Sequence, residues 1–509
     1  MTKTFIALAL IVTSFMTYAA SEDELMAQAR AIHDRVMALD THVDIPLNFA
    51  TSEHDPLDAE AQVNLMSMRN GGLDTVFFIV YVGQQERNNM NYLDAKADAL
   101  NKFDAIHRMV ELYPDEIGFA STAAEASALH AEGKLVAMIG VENGFSIGQD
   151  ISLIEEFRQR GARYMGLVHN GHNDIGDSAQ AQERLNDEIE EHGGLSEYGH
   201  RVVEELNRVG ILVDISHVSK QTMLDAVNHS RAPIIASHSS VNGIFVHPRN
   251  LDDEQLLAIK ANGGVVQIVA FDNYLNEGRG TASVSELVDH IDYAVDLIGV
   301  EHVGISSDFG GGGGIAGWNN ADETINVTIE LVRRGYSEDE IAMIWSGNVL
   351  RILKEAEDIA TTLEAAAAKP EFEAYPVAQS DTVLGAINFT SHPDAENFKT
   401  RLEYSLNEPA NFAGHYIVTN WGCGTMCQMV AVIDVLNGDV FFPFTTSMGV
   451  CFQADSSLII TSPLDEFTIE DFGDDMPAWL KSGYYTWDGA EMHLLAESTQ
   501  AVDISCNVL

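Results

Sequence analysis

Short apolar runs alternate with amphipathic stretches along the first two-thirds of this 509-residue chain, and the alternation repeats eight times. The apolar segments are 36–39, 75–81, 136–141, 164–168, 211–215, 234–236, 265–271 and 303–306. Between them, Leu93, Ala97, Leu100, Phe103, Ile106 and Val110 share one helical face. Tyr198, Val202, Val203, Leu206 and Val209 share another and end at the helix stop Gly210. Eight strand–helix units predict an α/β chain whose parallel strands close into a (β/α)8, TIM-like barrel. A doubly wound open sheet is the alternative, but it favours a glycine-rich phosphate turn after its first strand. Here that turn is Asp40-Thr41-His42-Val43-Asp44, which favours the barrel.

Length divides the chain further. A polypeptide of 509 residues exceeds one ordinary domain. The low-complexity stretch 361–370, closed by Pro370, is expected to be a linker between a barrel over 20–360 and a second domain over 371–509. Helical patterns at 321–334, 337–344 and 348–356 precede it. Beyond it, β-rich runs at 416–420, 429–435 and 458–461, with Asn437-Gly438 and Asp488-Gly489 hairpin signals, predict a small, mainly β domain. That domain holds all four cysteines, Cys423, Cys427, Cys451 and Cys506. Disulfides are the first expectation, with three pairings open, and a Cys/His zinc cluster is the alternative.

Composition narrows the partners. Lys and Arg total 28 against 77 Asp and Glu, a formal charge of −49. Nucleic acid, which needs a cationic footprint, is excluded as a partner, and anionic membrane surfaces are disfavoured. At the N-terminus, Lys3, an apolar run over 5–16 and small residues before the acidic 21–24 form a signal-peptide pattern, with cleavage after Ala19. The alternative is an uncleaved anchor, for which the run is short. The expectation is export to a periplasmic or extracellular location. No later stretch has the length and apolarity of a transmembrane helix.

Six of the eight strand ends carry acids or imidazoles: Asp40, His42 and Asp44 at the first, then Glu142, His169, His217, His238 and Asp308. An isolated His-x-Asp is common and binds nothing by itself. In extended backbone, however, His42 and Asp44 point the same way. His172-Asn173-Asp174 repeats the spacing but falls past a strand end, where its side chains are expected to line a loop. A carboxylate such as Glu142 at a buried strand end is expensive unless protonated, paired or metal-bound. His217 and His238 end consecutive strands and so become rim neighbours. His42, Asp44, Glu142, His217 and His238 supply three imidazoles and two carboxylates, more than one catalytic zinc uses, and fit two ions sharing a carboxylate. Such donors suit Zn²⁺, with Mn²⁺ or Co²⁺ as substitutes. A hydroxide held between two such ions is a nucleophile at neutral pH, and the expected chemistry is hydrolysis of an amide or related bond. The strands ending near Tyr81 and Phe271 carry no such groups and are expected to be pocket walls.

In order along roughly 25–360, these residues resemble the membrane (renal-type) dipeptidases, binuclear zinc peptidases of the metallo-dependent hydrolase superfamily. The resemblance is carried by Asp40-Thr-His-Val-Asp44, Gly140-Val-Glu142, Tyr164-Met-Gly-Leu-Val-His169-Asn170, Asp214-Ile-Ser-His217-Val-Ser219, Ala236-Ser-His238-Ser-Ser240, His247-Pro-Arg249-Asn250-Leu251 and Ser307-Asp308-Phe309. It implies that His42 and Asp44 hold one zinc, His217 and His238 the other, and that Glu142 bridges them. It further implies that His169 polarises the scissile carbonyl, that Arg249 clamps the C-terminal carboxylate of a dipeptide, and that Asp308 relays a proton from water to the leaving amine. A homodimer is expected by resemblance only.

Two departures from the family pattern stand out: Asn143 where glycine usually follows the bridging glutamate, and the glycine run 310–314 where a further acid is common. They put pocket shape in question, and the run reads as a mobile lid or an unstructured turn. Two other functions share the barrel, namely another metal-dependent amide or ester hydrolase and a catalytically silent metal-binding protein. For the β-rich domain, a structural role or an interaction with an unknown partner is the expectation.

Overall fold

The computed structural model describes residues 21–278, 280–367, 369–425, 427–465, 468–469, 472, 477, 480–502 and 507–508. The segment with the signal-peptide pattern lies outside the described residues. The chain divides into two compact units between Ala365 and Ala366.

In the first unit, β1 (Leu39–Asp44), β2 (Thr75–Tyr81), β3 (Ile117–Phe119), β4 (Leu135–Glu142), β5 (Ala162–Gly166), β6 (Leu212–Asp214), β7 (Ile235–Val241), β8 (Asn250–Leu251), β9 (Val265–Val269) and β10 (Val303–Ser306) form one sheet. Its order is β1-β2-β4-β5-β6-β7-β9-β10, every pair parallel, with the short β3 and β8 hung on β4 and β7. Beyond β10 the chain returns to β1: Asp44 N donates to Phe309 O (2.8 Å) and Asp308 N to His42 O (3.1 Å). Those bonds bring the ends of the sheet together into the expected eight-stranded barrel.

Two strand boundaries differ from the sequence reading. β1 occupies Leu39–Asp44, not 36–39, so Asp40, His42 and Asp44 belong to the strand and not to a turn after it. β7 continues past residue 236 to Val241 and carries His238 within it. In both, polar side chains face the interior because partners await them. Thr41 Oγ1 donates to Ser237 O (2.9 Å), and Asp40 Oδ1 accepts from His42 N and Ser307 N.

Helix Glu197–Val209 forms as its pattern demands: Ser196 accepts at the N-terminus, and Gly210 takes the left-handed conformation (φ 74°) that ends it. Helix Asn89–Leu112 differs. Its buried face is Ala95, Ala99, Lys102, Phe103, Ala105, Ile106 and Met109, while Leu93 is 64% exposed. The final barrel helix, Asn348–Ala367, runs on through much of the stretch expected to be linker.

The second unit is built from antiparallel pairs. β11 (Tyr416–Gly424) and β12 (Cys427–Asp434) form a long hairpin, and β13 (Val440–Phe441) follows across the Asn437-Gly438 turn. In chain order, β14 (Thr445–Thr446) pairs with β12, and β15 (Val450–Phe452) with β16 (Leu458–Thr461). β17 (Ser482–Trp487) and β18 (Met492–Ser498) are joined by the Asp488-Gly489 turn. A disulfide joins Cys423 to Cys427 beside the first hairpin turn, and Cys451 is also disulfide-bonded. Cys506 lies outside the described residues.

Candidate metal centre

Glu142, the last residue of β4, is the hub. Its Oε1 lies 3.1 Å from His217 Nε2 and 3.4 Å from His238 Nε2, while its Oε2 lies 3.6 Å from His42 Nε2. The carboxylate therefore turns one oxygen to each side. His42 Nε2 is also 3.4 Å from Asp44 Oδ2 and 3.9 Å from Asp308 Oδ1. His169 Nε2 stands 3.8 Å from Glu142 Oε1. Three overlapping donor sets result: His42, Glu142 and His238; Glu142, His169 and His217; and His42, Asp44 and Asp308. Every donor lies at the C-terminal mouth of the barrel, where strands end and side chains converge.

In His42, His217 and His238 the ring nitrogen opposite Nε2 is already engaged. Tyr164 donates its hydroxyl to Thr41 O (2.7 Å), leaving its oxygen to accept from His42 Nδ1 (3.1 Å). Ser237 donates to Asp214 Oδ2 (2.6 Å) and accepts from His238 Nδ1 (2.9 Å). Asn170 Oδ1 lies 3.0 Å from His217 Nδ1. Each imidazole thus carries a proton on Nδ1 and turns its Nε2 toward Glu142, the orientation that suits metal-binding histidines, and His217 Nε2 lies 2.9 Å from His238 Nε2. Among the described residues, the fully buried His42 Nε2 has no hydrogen-bond partner. Donor type and orphaned nitrogen together fit divalent ions of the zinc class.

The electrostatics follow from burial and crowding. Burial drives the Glu142 carboxyl upward, but His42, His169, His217 and His238 together outweigh it and hold the group well below the usual carboxylate range. Burial, then Asp44 and Glu142, raises Asp308 well above its ordinary value, although His42 and Arg249 oppose the rise. Burial lowers His169, with Arg249 adding to the effect and Glu142 opposing it, so its ring is neutral at pH 7. His42 is drawn down by burial and, more strongly, up by Glu142 and Asp44; a cation and a proton compete for its Nε2.

Above the centre opens a cavity of about 610 Å³, lined by Asp44, Glu142, His169, His217, His238 and Asp308. Its apolar walls include Phe49, Phe78, Tyr81, Phe271 and Tyr274, so the two strand ends without chemistry do form walls. Arg249 is 2% exposed and stands behind this wall. Its Nη2 donates to His238 O (3.2 Å), and its guanidinium lies over the Tyr274 ring at 5.4 Å. The side chain itself lines a smaller neighbouring cavity of about 170 Å³. Among the described residues no carboxylate pairs with it, and its Nε lacks a partner.

A model of the membrane dipeptidase family, peptidase family M19, matches residues 26–367. The chain belongs to the membrane dipeptidase family. It is 35% identical to the dipeptidase aclJ of Aspergillus oryzae over 319 residues, covering 61% of this chain and 74% of that one. It is 32% identical to the dipeptidase verJ of Clonostachys rogersoniana over 356 residues, covering 67% and 90% respectively. The probable dipeptidase PvdM from Pseudomonas aeruginosa superposes with a TM-score of 0.64 at 29% identity, covering 66% of this chain and 99% of that chain. Membership makes the chain a metal-dependent hydrolase of dipeptides.

Both departures from the family's usual pattern have structural reasons. Asn143 sits at φ 79°, a conformation glycine adopts freely and asparagine tolerates. Fully buried, it donates to Val82 O and accepts from Phe145 N, so it braces the turn and does not face the cavity. The glycine run is not an unstructured turn. Gly311 N and Gly313 N donate to Asp308 O, Gly310 N to Gln62 Oε1 and Gly314 N to Ala270 O. A Cβ on Gly311 would fall 2.4 Å from both Asp308 Oδ1 and Asp44 Oδ2. Glycine is there so that backbone can press against the two carboxylates.

His172 bonds Glu188 O and Ser178 N, and Asp174 accepts from the Tyr92 hydroxyl, so the His172–Asp174 repeat serves its loop as expected. Tyr164, Asn170, Asp214 and Ser237 lie within the motifs quoted above, and their part in orienting the histidines emerges only from contacts across the barrel. Lys102, which no sequence motif marks, lines the cavity from helix Asn89–Leu112.

Proposed function

We propose that the barrel hydrolyses dipeptides at a two-zinc centre held by His42, Asp44, Glu142, His217 and His238, with Glu142 shared between the ions. The observation that carries this reading is the Nδ1 anchoring of three imidazoles around one carboxylate. Two such ions, with Mn²⁺ or Co²⁺ as substitutes, supply Lewis acidity and a hydroxide nucleophile at neutral pH.

The remaining work falls to the protein. Neutral His169, at the cavity wall, donates a hydrogen bond to the carbonyl oxygen as negative charge develops there. Asp308 takes the proton released by the attacking water and gives it to the departing amine; burial, with the neighbouring carboxylates adding to it, raises its pKa and makes it willing to hold that proton. Arg249, buried and without an acid partner among the described residues, is a guanidinium awaiting an anion. The C-terminal carboxylate of a dipeptide supplies one and fixes the scissile bond over Glu142, with Tyr274 turning aside to admit it.

The test is a dipeptide panel run with and without chelator on the wild type and on Arg249→Ala. Loss of the clamp removes about 2–5 kcal/mol of substrate interaction if the ion pair is buried, read as a fall in kcat/KM. Unchanged kcat/KM in Arg249→Ala contradicts the clamp. A zinc-replete protein that cleaves no dipeptide contradicts the whole reading and favours a silent metal-binding barrel.

Residues 1–19 are proposed to direct export, supported by the Lys3 charge, the apolar run and Ala19. N-terminal sequencing of the mature protein should then begin at Ala20, whereas a start at Met1 contradicts it. Among the described residues no helix is long and apolar enough to cross a membrane. For residues 371–509 the proposal is a disulfide-stabilised structural or interaction role.

A further inference from the structure

We infer that Lys102 makes the cavity selective for dipeptides whose N-terminal residue carries an acidic side chain. The inference rests on the dipeptidase reading above, with Arg249 at the C-terminal carboxylate.

Lys102 comes from the middle of helix Asn89–Leu112, is 5% exposed, and lines the main cavity. Lysine is rarely this buried without a paired acid. Here Nζ makes no hydrogen bond or ion pair among the described residues; its one close companion is the Tyr81 ring, 5.4 Å from Nζ to the centroid. The carboxylates whose fields reach it are Asp44, Glu142 and Asp98. The first two belong to the metal centre and Asp98 is exposed, so none is free to serve as its counter-ion within the cavity. Three N–H donors are therefore left for whatever enters.

Placement says which part of the substrate that is. In the closed ring β1-β2-β4-β5-β6-β7-β9-β10, β2 and β7 lie diametrically opposite. Tyr81, under Lys102, ends β2; His238, whose carbonyl holds Arg249, lies in β7. The two cations thus flank the centre from opposite sides, with Glu142 and the imidazoles between them. A dipeptide with its carboxylate toward Arg249 and its scissile bond over the centre extends its N-terminal residue toward Lys102. The α-ammonium of that residue is repelled by Lys102 and drawn to Asp308, which leaves the side chain to face Nζ. A carboxylate there satisfies the buried ammonium, an apolar group leaves it unpaired, and a second cation opposes it.

The experiment compares kcat/KM for Glu-Ala, Ala-Ala and Lys-Ala in the zinc-loaded full chain, as wild type and as Lys102→Met, Lys102→Arg and Lys102→Glu. Wild type is expected to favour Glu-Ala over Lys-Ala by at least about tenfold. Lys102→Arg should retain that ratio, Lys102→Met should bring it near unity, and Lys102→Glu should invert it. A purely structural lysine would lower all three substrates together and leave the ratio unchanged in Lys102→Met, which overturns the inference. Should Lys102→Met fail to fold, the wild-type order and Lys102→Arg decide: no preference for Glu-Ala in wild type, or its loss in a folded Lys102→Arg, is contrary. Wild type that cleaves none of the three overturns the dipeptidase reading itself, whereas cleavage of all three at equal efficiency overturns only the role of Lys102.

Discussion

The hydroxyl of Tyr164 lies 3.1 Å from His42 Nδ1 while donating to the carbonyl of Thr41, the residue before that histidine. One buried group therefore fixes both the ring of a proposed metal ligand and the strand that carries it. Burial, with Asp214 and Glu142 adding to it, keeps the phenol far from ionising, so it remains a donor. Tyr164→Phe leaves the Thr41 carbonyl and the His42 Nδ1 without partners. The expected results are a loss of about 1–3 kcal/mol of stability and a metal affinity roughly 10–100-fold weaker. Zinc titration of the refolded variant checks the second; unaltered affinity would detach Tyr164 from the centre.

Gly140 makes that reach across the barrel feasible. A Cβ there would sit 2.2 Å from the Tyr164 ring. Gly140→Ala should consequently reproduce the weakened metal binding of Tyr164→Phe, though neither residue touches a metal. Equal zinc affinity in Gly140→Ala and wild type would show that the ring has another resting place.

Gly311 offers a contrast, since its substitution disturbs the carboxylates and leaves the imidazoles alone. Gly311→Ala is expected to keep its fold and to lose activity on the order of 10²-fold, because displacing Asp308 by about 1 Å is enough. Circular dichroism and kcat/KM measured together separate the two effects.

How much of this was legible in the sequence depended on what each side chain does. Glu142, His217, His238 and Asp308 were legible because an acid or imidazole after an apolar run has few bland explanations. The first strand was misplaced for the same reason: polar Asp40, Thr41 and His42 look like a turn until Ser237 O, Ser307 N and Tyr164 supply their partners across the barrel. Tyr164 sits in an apolar strand run, and nothing local distinguishes a tyrosine whose hydroxyl holds a proposed ligand. On helix Asn89–Leu112, counting large apolar residues chose Leu93 and Ala97. The close packing of Ala95 and Ala99 instead turns the helix so that Lys102 faces inward. Those partnerships join residues far apart in the chain, and no spacing rule encodes them.

A pH effect on stability should arise away from the centre. Burial raises the Asp74 carboxyl to about 6, against an unfolded value near 4, even though Ala38 N donates to it (2.9 Å). A raised carboxyl binds its proton more tightly in the folded state, so the stability it contributes is complete below pH 4 and is lost as pH rises through 6. Between pH 5 and 7 the wild type should lose about 1 kcal/mol from this group. Asp74→Asn should lose correspondingly less over the same range. Parallel denaturation curves of the two proteins at both pH values would contradict the assignment.

The most direct test of the two-metal centre is elemental analysis of zinc per chain in the wild type and in His217→Ala, on the same preparations used for dipeptide hydrolysis. About two ions are expected in the wild type and about one in the variant, with hydrolysis lost in the variant and in chelated wild type. Two ions retained in His217→Ala, or full hydrolysis by protein stripped of metal, would contradict the two-metal centre.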